Sequence, residues 1–451
     1  MELAPKLPPE KYEANFADIS PRMTPRQAAI EAARCLFCFD APCTIACPTH
    51  IDVPAFIKKI TTNNLRGSAR VILGANILGE SCGRVCPTEA LCEGACVMNE
   101  KGEEAIEIGR LQRYAVDYVL DRNLDLFSAG APNGKQVACI GSGPASLACA
   151  AELAKWGYSV TIFDKNKLPG GLNTYGIAAY KTRATEALRE VEMVKRLGVR
   201  FEQGVAIGRE VSFEKLERDF DAICIGVGLG ETCELEIPGT ELRGVHGAME
   251  FIEQTKLKPF EEVQVGRRVA CIGAGNTAID VVTAARRLGA ESVHLIYRRS
   301  QSDMPAFEYE YEIAQKDGVM FHWNTHPVRI VGESGTVTGI ECVRTKYAGG
   351  AAGKSRTPEP IPGTNFLIAA DMVVRAIGQK PVTEFLRAVE GIELKKGGTI
   401  AVSNAYQTGN PKYFAAGDCV NGGREVVDAV AEGMAAARGI DAWLEKPRGK
   451  K

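Results

Sequence analysis

The chain has 451 residues, of which 45% are hydrophobic and 24% charged, and its formal net charge is -2. That length calls for roughly two to four domains, and the composition is that of folded globular protein rather than a disordered chain. The near-zero charge gives no electrostatic basis for nucleic acid or an anionic membrane as a partner, and neither is expected.

The opening "MELAPKLPPEKYEANFADIS" has no basic stretch followed by an apolar one, so it does not read as a secretory signal, and a cytoplasmic protein is expected. In a reducing compartment the 15 cysteines read as thiolate ligands or buried apolar thiols, not as disulfides. Residues 1–130 read as a helical domain: Thr24 is placed to cap a helix with Pro25 at its first position, and "VPAFIKKITTNNLRGSARVIL" repeats apolar residues at helical spacing. Eight cysteines fall in this part, between Cys35 and Cys96. The other seven, Cys139 to Cys419, lack ligand-like spacing, and Cys139, Cys149, Cys224 and Cys271 sit in apolar patterns that read as core.

After the linker "SAGAPNGKQ" the pattern changes to βαβ. "KQVACIGSGPASLACAAELAKWGYSVTIFDK" is strand, glycine turn, helix, strand, and "RRVACIGAGNTAIDVVTAARRLGAESVHLIYRRS" repeats that plan. The expected fold is therefore α/β with an N-terminal all-α domain and two Rossmann-like dinucleotide-binding domains. The first would span 135–240 and 366–447, the second 241–365. "DAICIGVGLGE" and "DMVVRAIGQKPVTEF" read as crossover strands joining the two, and the tail "EKPRGKK" as loose.

In the first unit Gly141, Gly143, Pro144, Ala145 and Ser146 follow a strand and open a helix, and Asp164 ends the next strand. The glycines let backbone approach a pyrophosphate, the helix N-terminus supplies N–H donors, and the acid accepts from a ribose hydroxyl. Gly417 and Asp418 in "FAAGDC", followed by a long helix from Val426, add a second signature beside a flavin, with Gly171 and Leu172 in the loop "PGGLNTYGI" near it; FAD is the expected occupant. In the later part of the first domain Gly378 lies in a further glycine turn, and in the second unit Gly273, Gly275, Asn276 and Thr277 repeat the nucleotide turn. The strand after it ends in Arg298 and Arg299 without an acid, which suits a 2'-phosphate and leans toward NADPH over NADH.

Cys35, Cys38, Cys43 and Cys47 are spaced C-x2-C-x4-C-x3-C with Pro48 next, and Cys82, Cys86, Cys92 and Cys96 form a second set with Pro87 after Cys86. Short-spaced thiolates followed by Cys-Pro are the pattern of 4Fe-4S ligation, and in two-cluster ferredoxins the fourth cysteine of a run serves the other cluster. Two zinc sites of four thiolates each would also satisfy the count. An adjoining flavin unit favours clusters, because a flavin takes electrons in pairs from a nicotinamide and gives them up singly. No protein acid or base is required for the hydride step, so no catalytic residue is expected. On the residues alone, eight cysteines for eight positions is the simplest assignment.

The ordered motifs "RCLFCFDAPCTIACPTHIDVPAFI", "CGRVCPTEALCEGACV", "IGRLQRYAVD", "GSGPAS", "GGLNT", "GAGNTAID" and "FAAGDC" together resemble the N-terminal half of dihydropyrimidine dehydrogenase, especially the separate bacterial subunit of the PreT type. Related patterns occur in the small subunit of glutamate synthase and in the large subunit of the ferredoxin:NADP transhydrogenase, which are the alternative roles, and the five-residue gap from Cys86 to Cys92 together with Cys82 weighs against glutamate synthase. The resemblance implies one 4Fe-4S cluster on Cys35, Cys38, Cys43 and Cys96, and another on Cys47, Cys86, Cys92 and Gln112, with Cys82 left out. It implies an electron-input subunit that oxidises NAD(P)H through FAD. Its partner would be a PreA-like subunit carrying FMN and iron-sulfur clusters, in a complex with two copies of each chain, reducing uracil and thymine to their 5,6-dihydro forms. The bacterial two-subunit enzyme is associated with NADH and the fused enzyme with NADPH, so both nicotinamides, NAD(H) and NADP(H), stay open.

Overall fold

The computed structural model describes residues 2–347 and 357–445. The expected loose tail and the expected last boundary at 447 fall almost wholly outside them. The chain divides into two compact units, the larger made of Ser20–Thr174, Ala184–Leu229 and the chain from Pro381 onward.

The larger unit begins with helices Pro25–Ala33, Pro42–Ala46, Val53–Thr61, Leu65–Ala75, Gly79–Val85 and Ile108–Leu120. Thr24 caps the first of these as expected, and Gln27 completes a capping box with it: the Thr24 hydroxyl accepts from Gln27 N at 3.2 Å and Gln27 Oε1 accepts from Thr24 N at 2.9 Å. The long helical stretch breaks in two, because Asn63 adopts a left-handed φ of 57° and the Asn64 side chain caps the next helix through Gly67 N at 2.9 Å. Phe56, Ile57, Ile72, Leu73, Leu78 and Leu111 fill the core between these helices, each stabilising the fold by about 1.5–3 kcal/mol relative to exposure.

The same unit holds a parallel sheet of β1 (Gln136–Ile140), β2 (Ser159–Asp164), β3 (Arg200–Gln203), β4 (Ala222–Ile225) and Tyr413–Ala415, the last strand of the chain. The last strand pairs β4, and β4, β1, β2 and β3 follow in that order. Strands such as "VACI" and "AICI" are apolar without alternation because helices cover both faces. Helix Val426–Leu444 crosses helix Pro144–Lys155 so closely that a Cβ on Gly433 would lie 2.1 Å from the Ala145 carbonyl oxygen. The sulfurs of Cys139, Cys149 and Cys224 meet within 4.8 Å in this core, all buried.

The second unit is a parallel sheet of β5 (Val245–Gly247), β6 (Arg268–Ile272), β7 (Ser292–Ile296), β8 (Met320–His322) and the strand Met372–Arg375, in the order β5, Met372–Arg375, β6, β7, β8. An antiparallel group of β9 (Thr325–Glu333), β10 (Thr336–Tyr347), β11 (Pro358–Pro360) and β12 (Phe366–Ala369) extends it.

Several sequence-based boundaries differ from this arrangement, and Tyr175–Arg183, expected in the first dinucleotide domain, belongs to the second unit. The two "crossover" strands are internal strands of their own sheets, and the crossings come after them, at Gly230 and Lys380. There the two connections pair with each other, Gly230 N donating to Lys380 O at 2.7 Å and Lys380 N to Glu231 O at 2.8 Å. Phe366–Arg375 therefore belongs to the second unit, not the first. The segment ending at Ile19 also belongs there rather than to the helical domain, because Ala4 N donates to Val265 O at 2.9 Å and Phe16 stacks on Phe260 at 4.0 Å. Among the described residues no helix is long and apolar enough to cross a membrane.

Candidate functional site

In the first dinucleotide turn Gly141 has a φ of 92°, and a Cβ there would lie 2.5 Å from Gly226 O, so this glycine is a requirement of the fold. Gly143 differs: its φ is -72°, and an added Cβ would meet nothing nearer than 3.9 Å. The space over Gly143, at the first turn of helix Pro144–Lys155, is open to a ligand rather than filled by protein. Ala145 and Ser146 are buried on that helix. Asp164 ends β2 as expected, but its carboxylate is engaged by the chain: Oδ2 accepts from Ser142 N at 2.7 Å and Ser142 Oγ at 2.5 Å, and Oδ1 from Asn166 N at 2.8 Å.

The loop of Gly170 and Gly171 lies against this turn, Gly170 N donating to Ser142 O at 3.1 Å, and Leu172 starts the short helix Leu172–Tyr175. Gly417, with φ 80°, precedes helix Asp418–Asn421. Burial raises the Asp418 carboxyl, and its Oδ1 accepts from Arg424 N at 3.4 Å. Val426 opens the long helix, capped at Glu425 with Asp428.

The second turn repeats the contrast. Gly273 has φ 130° and a Cβ there would lie 2.1 Å from Ala376 O, whereas a Cβ on Gly275 would meet only Pro305 at 3.9 Å. Asn276 Oδ1 accepts from Phe307 N at 3.1 Å, and Thr277 follows on the same helix, Asn276–Arg287. Arg298 and Arg299 sit just beyond β7, Arg298 exposed and Arg299 half-buried. Their carbonyls accept from Thr345 Oγ1 at 2.8 Å and Asn324 N at 2.9 Å, which fixes the turn that carries both guanidinium groups. Gly378 has φ 101° with open space around it.

The helical part brings the thiols together in two groups. Cys35, Cys38, Cys43 and Cys96 line one cavity, walled by Val53, Ile57, Met98 and Ile106. Cys47, Cys82, Cys86, Cys92 and Gln112 line a second. Cys47, the last of its sequence run, thus faces away from its three neighbours, and Cys96 returns to join them. Burial pushes the Cys43 thiol up to about 11 and also raises Cys35 and Cys92. Such thiols ionise only beside a positive charge, so the donor set and its apolar walls fit a cationic metal centre.

The second cavity holds five candidate donors. The Cys86 thiol is raised first by a hydrogen bond with Cys82, then by burial, and Asn76 Nδ2 donates to Cys82 Sγ at 3.2 Å. Gln112 Nε2 donates to Gly79 O at 2.8 Å, which anchors the amide nitrogen and leaves its oxygen as the donor atom available to a metal.

Three neighbours escaped sequence reasoning. Glu190 is wholly buried, and its Oε1 accepts from Glu80 N at 2.8 Å and Ser81 N at 3.0 Å, capping helix Gly79–Val85, whose own first residues supply no side-chain cap. Ser81 Oγ also donates to Glu190, and Asn173 Nδ2 donates to Ser81 Oγ at 3.0 Å. Only an amphipathic pattern marks Glu190 in the sequence, and nothing there indicates its partner more than 100 residues away.

Residues 12–124 match the family described as dihydropyrimidine dehydrogenase domain II, 4Fe-4S cluster, and residues 135–433 match the pyridine nucleotide-disulphide oxidoreductases. The chain belongs to the pyridine nucleotide-disulphide oxidoreductase family. Among its relatives, the glutamate synthase [NADPH] small chain of Escherichia coli is 35% identical over 98% of this chain and 96% of its own length. The corresponding chain of Halomonas elongata is 36% identical over 98% and 96%. The NADP(+)-dependent formate dehydrogenase subunit beta of Moorella thermoacetica is 36% identical over 90% of this chain and 60% of that one. In fold, the oxidoreductase resembles FprA of Mycobacterium tuberculosis, with TM-score 0.58 and 19% identity over 69% of this chain and 84% of that one. It also resembles thioredoxin reductase of T. acidophilum, with TM-score 0.53 and 21% identity over 68% and 98%. This member of the family is an iron-sulfur flavoprotein oxidoreductase, with a 4Fe-4S domain preceding two Rossmann-like domains.

Proposed function

We propose that the chain is an electron-input subunit that oxidises NAD(P)H with FAD and passes the electrons through two 4Fe-4S clusters to a partner protein. Bound FAD supplies the conversion between a two-electron hydride donor and one-electron acceptors. The observation that carries this reading is Val427, which lines the second thiol cavity one residue into the helix whose start, at Val426, is expected beside the flavin. The redox groups would then be neighbours within one unit.

Gly143 and the first turn of helix Pro144–Lys155 would take the FAD pyrophosphate, with Gly171, Leu172, Gly417 and Asp418 around the rest of the cofactor. Gly275, Asn276, Thr277 and the arginines 298 and 299 would hold the nicotinamide nucleotide. NADP(H) is favoured by the guanidinium pair and by the cofactor in the names of several relatives. One cluster would use Cys35, Cys38, Cys43 and Cys96, the other Cys47, Cys86, Cys92 and Gln112. Cys82 is the fifth donor of that cavity and is left out, as the resemblance implies.

For the terminal reaction we keep the pyrimidine-reducing partner, a PreA-like subunit with FMN, as the first reading, supported by the motif order and by the description matched at residues 12–124. A glutamate synthase large subunit is the second, favoured by relatives that align over nearly their full length. Anaerobic purification should yield about one FAD and eight irons per chain, and a zinc protein without flavin would refute the proposal. Co-expression with each type of partner, followed by uracil-dependent NAD(P)H oxidation against glutamate synthase activity, decides between the two readings.

A further inference from the structure

Gln203 ends β3, and in the register of the sheet it stands directly beside Asp164, the end of β2. Directly paired residues of neighbouring strands leave the sheet on the same face. The Gln203 amide therefore shares the face on which the Asp164 carboxylate meets the first dinucleotide turn through Ser142 N. Both atoms of that amide, Oε1 and Nε2, are shut off from solvent, and among the described residues neither has a hydrogen-bond partner. The groups beside it are committed elsewhere. Asp164 accepts from Ser142 and Asn166, Gly204 N donates to Asn166 O at 3.0 Å, and Val205 N donates to Asp164 O at 2.9 Å. A buried amide with donor and acceptor both unpaired costs stability, and native proteins leave few of them without a ligand or water. The second unit supplies the contrast. His322 ends β8 beside Ile296, the end of β7 and the same place in the repeated plan, and its Nε2 is hydrogen-bonded with His294 Nδ1 at 2.9 Å. There the protein satisfies the polar side chain itself.

Strand order says which end of a dinucleotide would reach Gln203. The sheet runs from strand Tyr413–Ala415 through β4, β1 and β2 to β3. Gly417, Asp418 and Val426, given to the flavin end, follow the strand at one edge, and Gly143, given to the pyrophosphate, follows β1 in the middle. β3 is the opposite edge, so FAD laid across the strand ends in that order would bring its adenosine toward β2 and β3. Adenine presents a 6-amino donor beside a ring-nitrogen acceptor, and the oxygen and NH2 of one glutamine amide match that pair. We infer that Gln203 reads the adenine ring of FAD and makes the site selective for that base. The inference rests on the proposed function and adds a base contact to residues assigned only to phosphate, ribose and flavin.

The test compares FAD with an analogue in which unsubstituted purine replaces adenine, so that the 6-amino group is missing and nothing is added. Flavin is removed from the anaerobically purified protein with its clusters kept, and each dinucleotide is titrated back while flavin fluorescence is followed. Wild type should bind FAD at least tenfold more tightly than the purine analogue, because the analogue leaves the amide oxygen unpaired. Gln203→Leu, similar in volume and without an amide, should lose at least tenfold in FAD affinity and prefer FAD by less than twofold. Thermal unfolding of the flavin-free variant should be unchanged or raised. Equal binding of the two dinucleotides by wild type overturns the inference and leaves the amide to ordered water, and so does a leucine variant that keeps wild-type affinity or preference. Should Gln203→Leu fail to fold, the wild-type comparison decides alone. Wild type that takes up neither dinucleotide would instead refute the proposed function itself.

Discussion

Glu190 offers the sharpest test of how the helical part is held to its sheet. Replacing it with alanine leaves Glu80 N and Ser81 N, now at 2.8 and 3.0 Å from Oε1, without an acceptor in a site closed to solvent. Each unsatisfied buried group costs about 1–3 kcal/mol, and helix Gly79–Val85 has no other side-chain cap, so Glu190→Ala should lose about 2–5 kcal/mol. Glu190→Gln retains an amide oxygen for the two N–H groups and should lose less than half as much. The carboxylate also sets a pH dependence. Burial raises Glu190 to about 7 and Glu80 to about 8 from 4.5. Between pH 4.5 and those values the folded protein holds protons that the unfolded chain has released, so stability is highest near pH 4.5 and falls as pH rises toward 7–8. Glu190→Gln removes one of the two groups and should flatten that fall. Denaturant unfolding of the holoprotein at pH 5.5, 7 and 8, followed by cluster absorbance and circular dichroism, measures both effects. Equal losses in the Ala and Gln variants, or wild-type stability that rises across this range, would refute the reasoning.

Other substitutions separate cofactor roles from folding roles. Cys47→Ala should remove the cluster signal shared with Cys86, Cys92 and Gln112 while sparing the other, and Cys82→Ala should leave two signals; loss of a cluster in Cys82→Ala with none in Gln112→Ala would transfer ligation to Cys82. Gly143→Val should fold with nearly unchanged stability yet fail to retain FAD, whereas Gly141→Ala, forced against Gly226 O at a φ of 92°, should lower stability by several kcal/mol; calorimetry with flavin content checks both. Arg298→Ala/Arg299→Ala should weaken NADP+ binding at least tenfold and NAD+ binding by less than twofold, measured by titration of the holoprotein, and equal losses for both nucleotides would remove the arginines from 2'-phosphate recognition.

Much of this protein is legible from local pattern. The capping box at Thr24, the two strand–turn–helix units and the grouping of thiols near Cys-Pro pairs are readable because helix caps, strand runs and glycine turns depend on residues a few positions apart. Boundaries were less legible. Strand Met372–Arg375 looks like a crossing, but it is an internal strand placed beside β6 by pairing that spans about 100 residues. The asparagines at 63 and 64 interrupt an apolar repeat that continues across them, so periodicity alone joins two helices. Cys82 has the spacing of a ligand, and its place as one of five donors lining a single cavity is a fact of side-chain placement that spacing does not contain.

The amino-acid sequence by itself determined the class of chemistry, because thiolates, phosphate-accepting glycine turns and guanidinium groups declare their ligands through residue type and short spacing. The tertiary structure alone decided which thiols share a cavity, that Glu190 caps a distant helix, and that Val427 and the second thiol group are neighbours. Those arrangements depend on long-range packing of helices and sheet, where the partner of a residue is set by the whole core and not by the residues beside it in the chain.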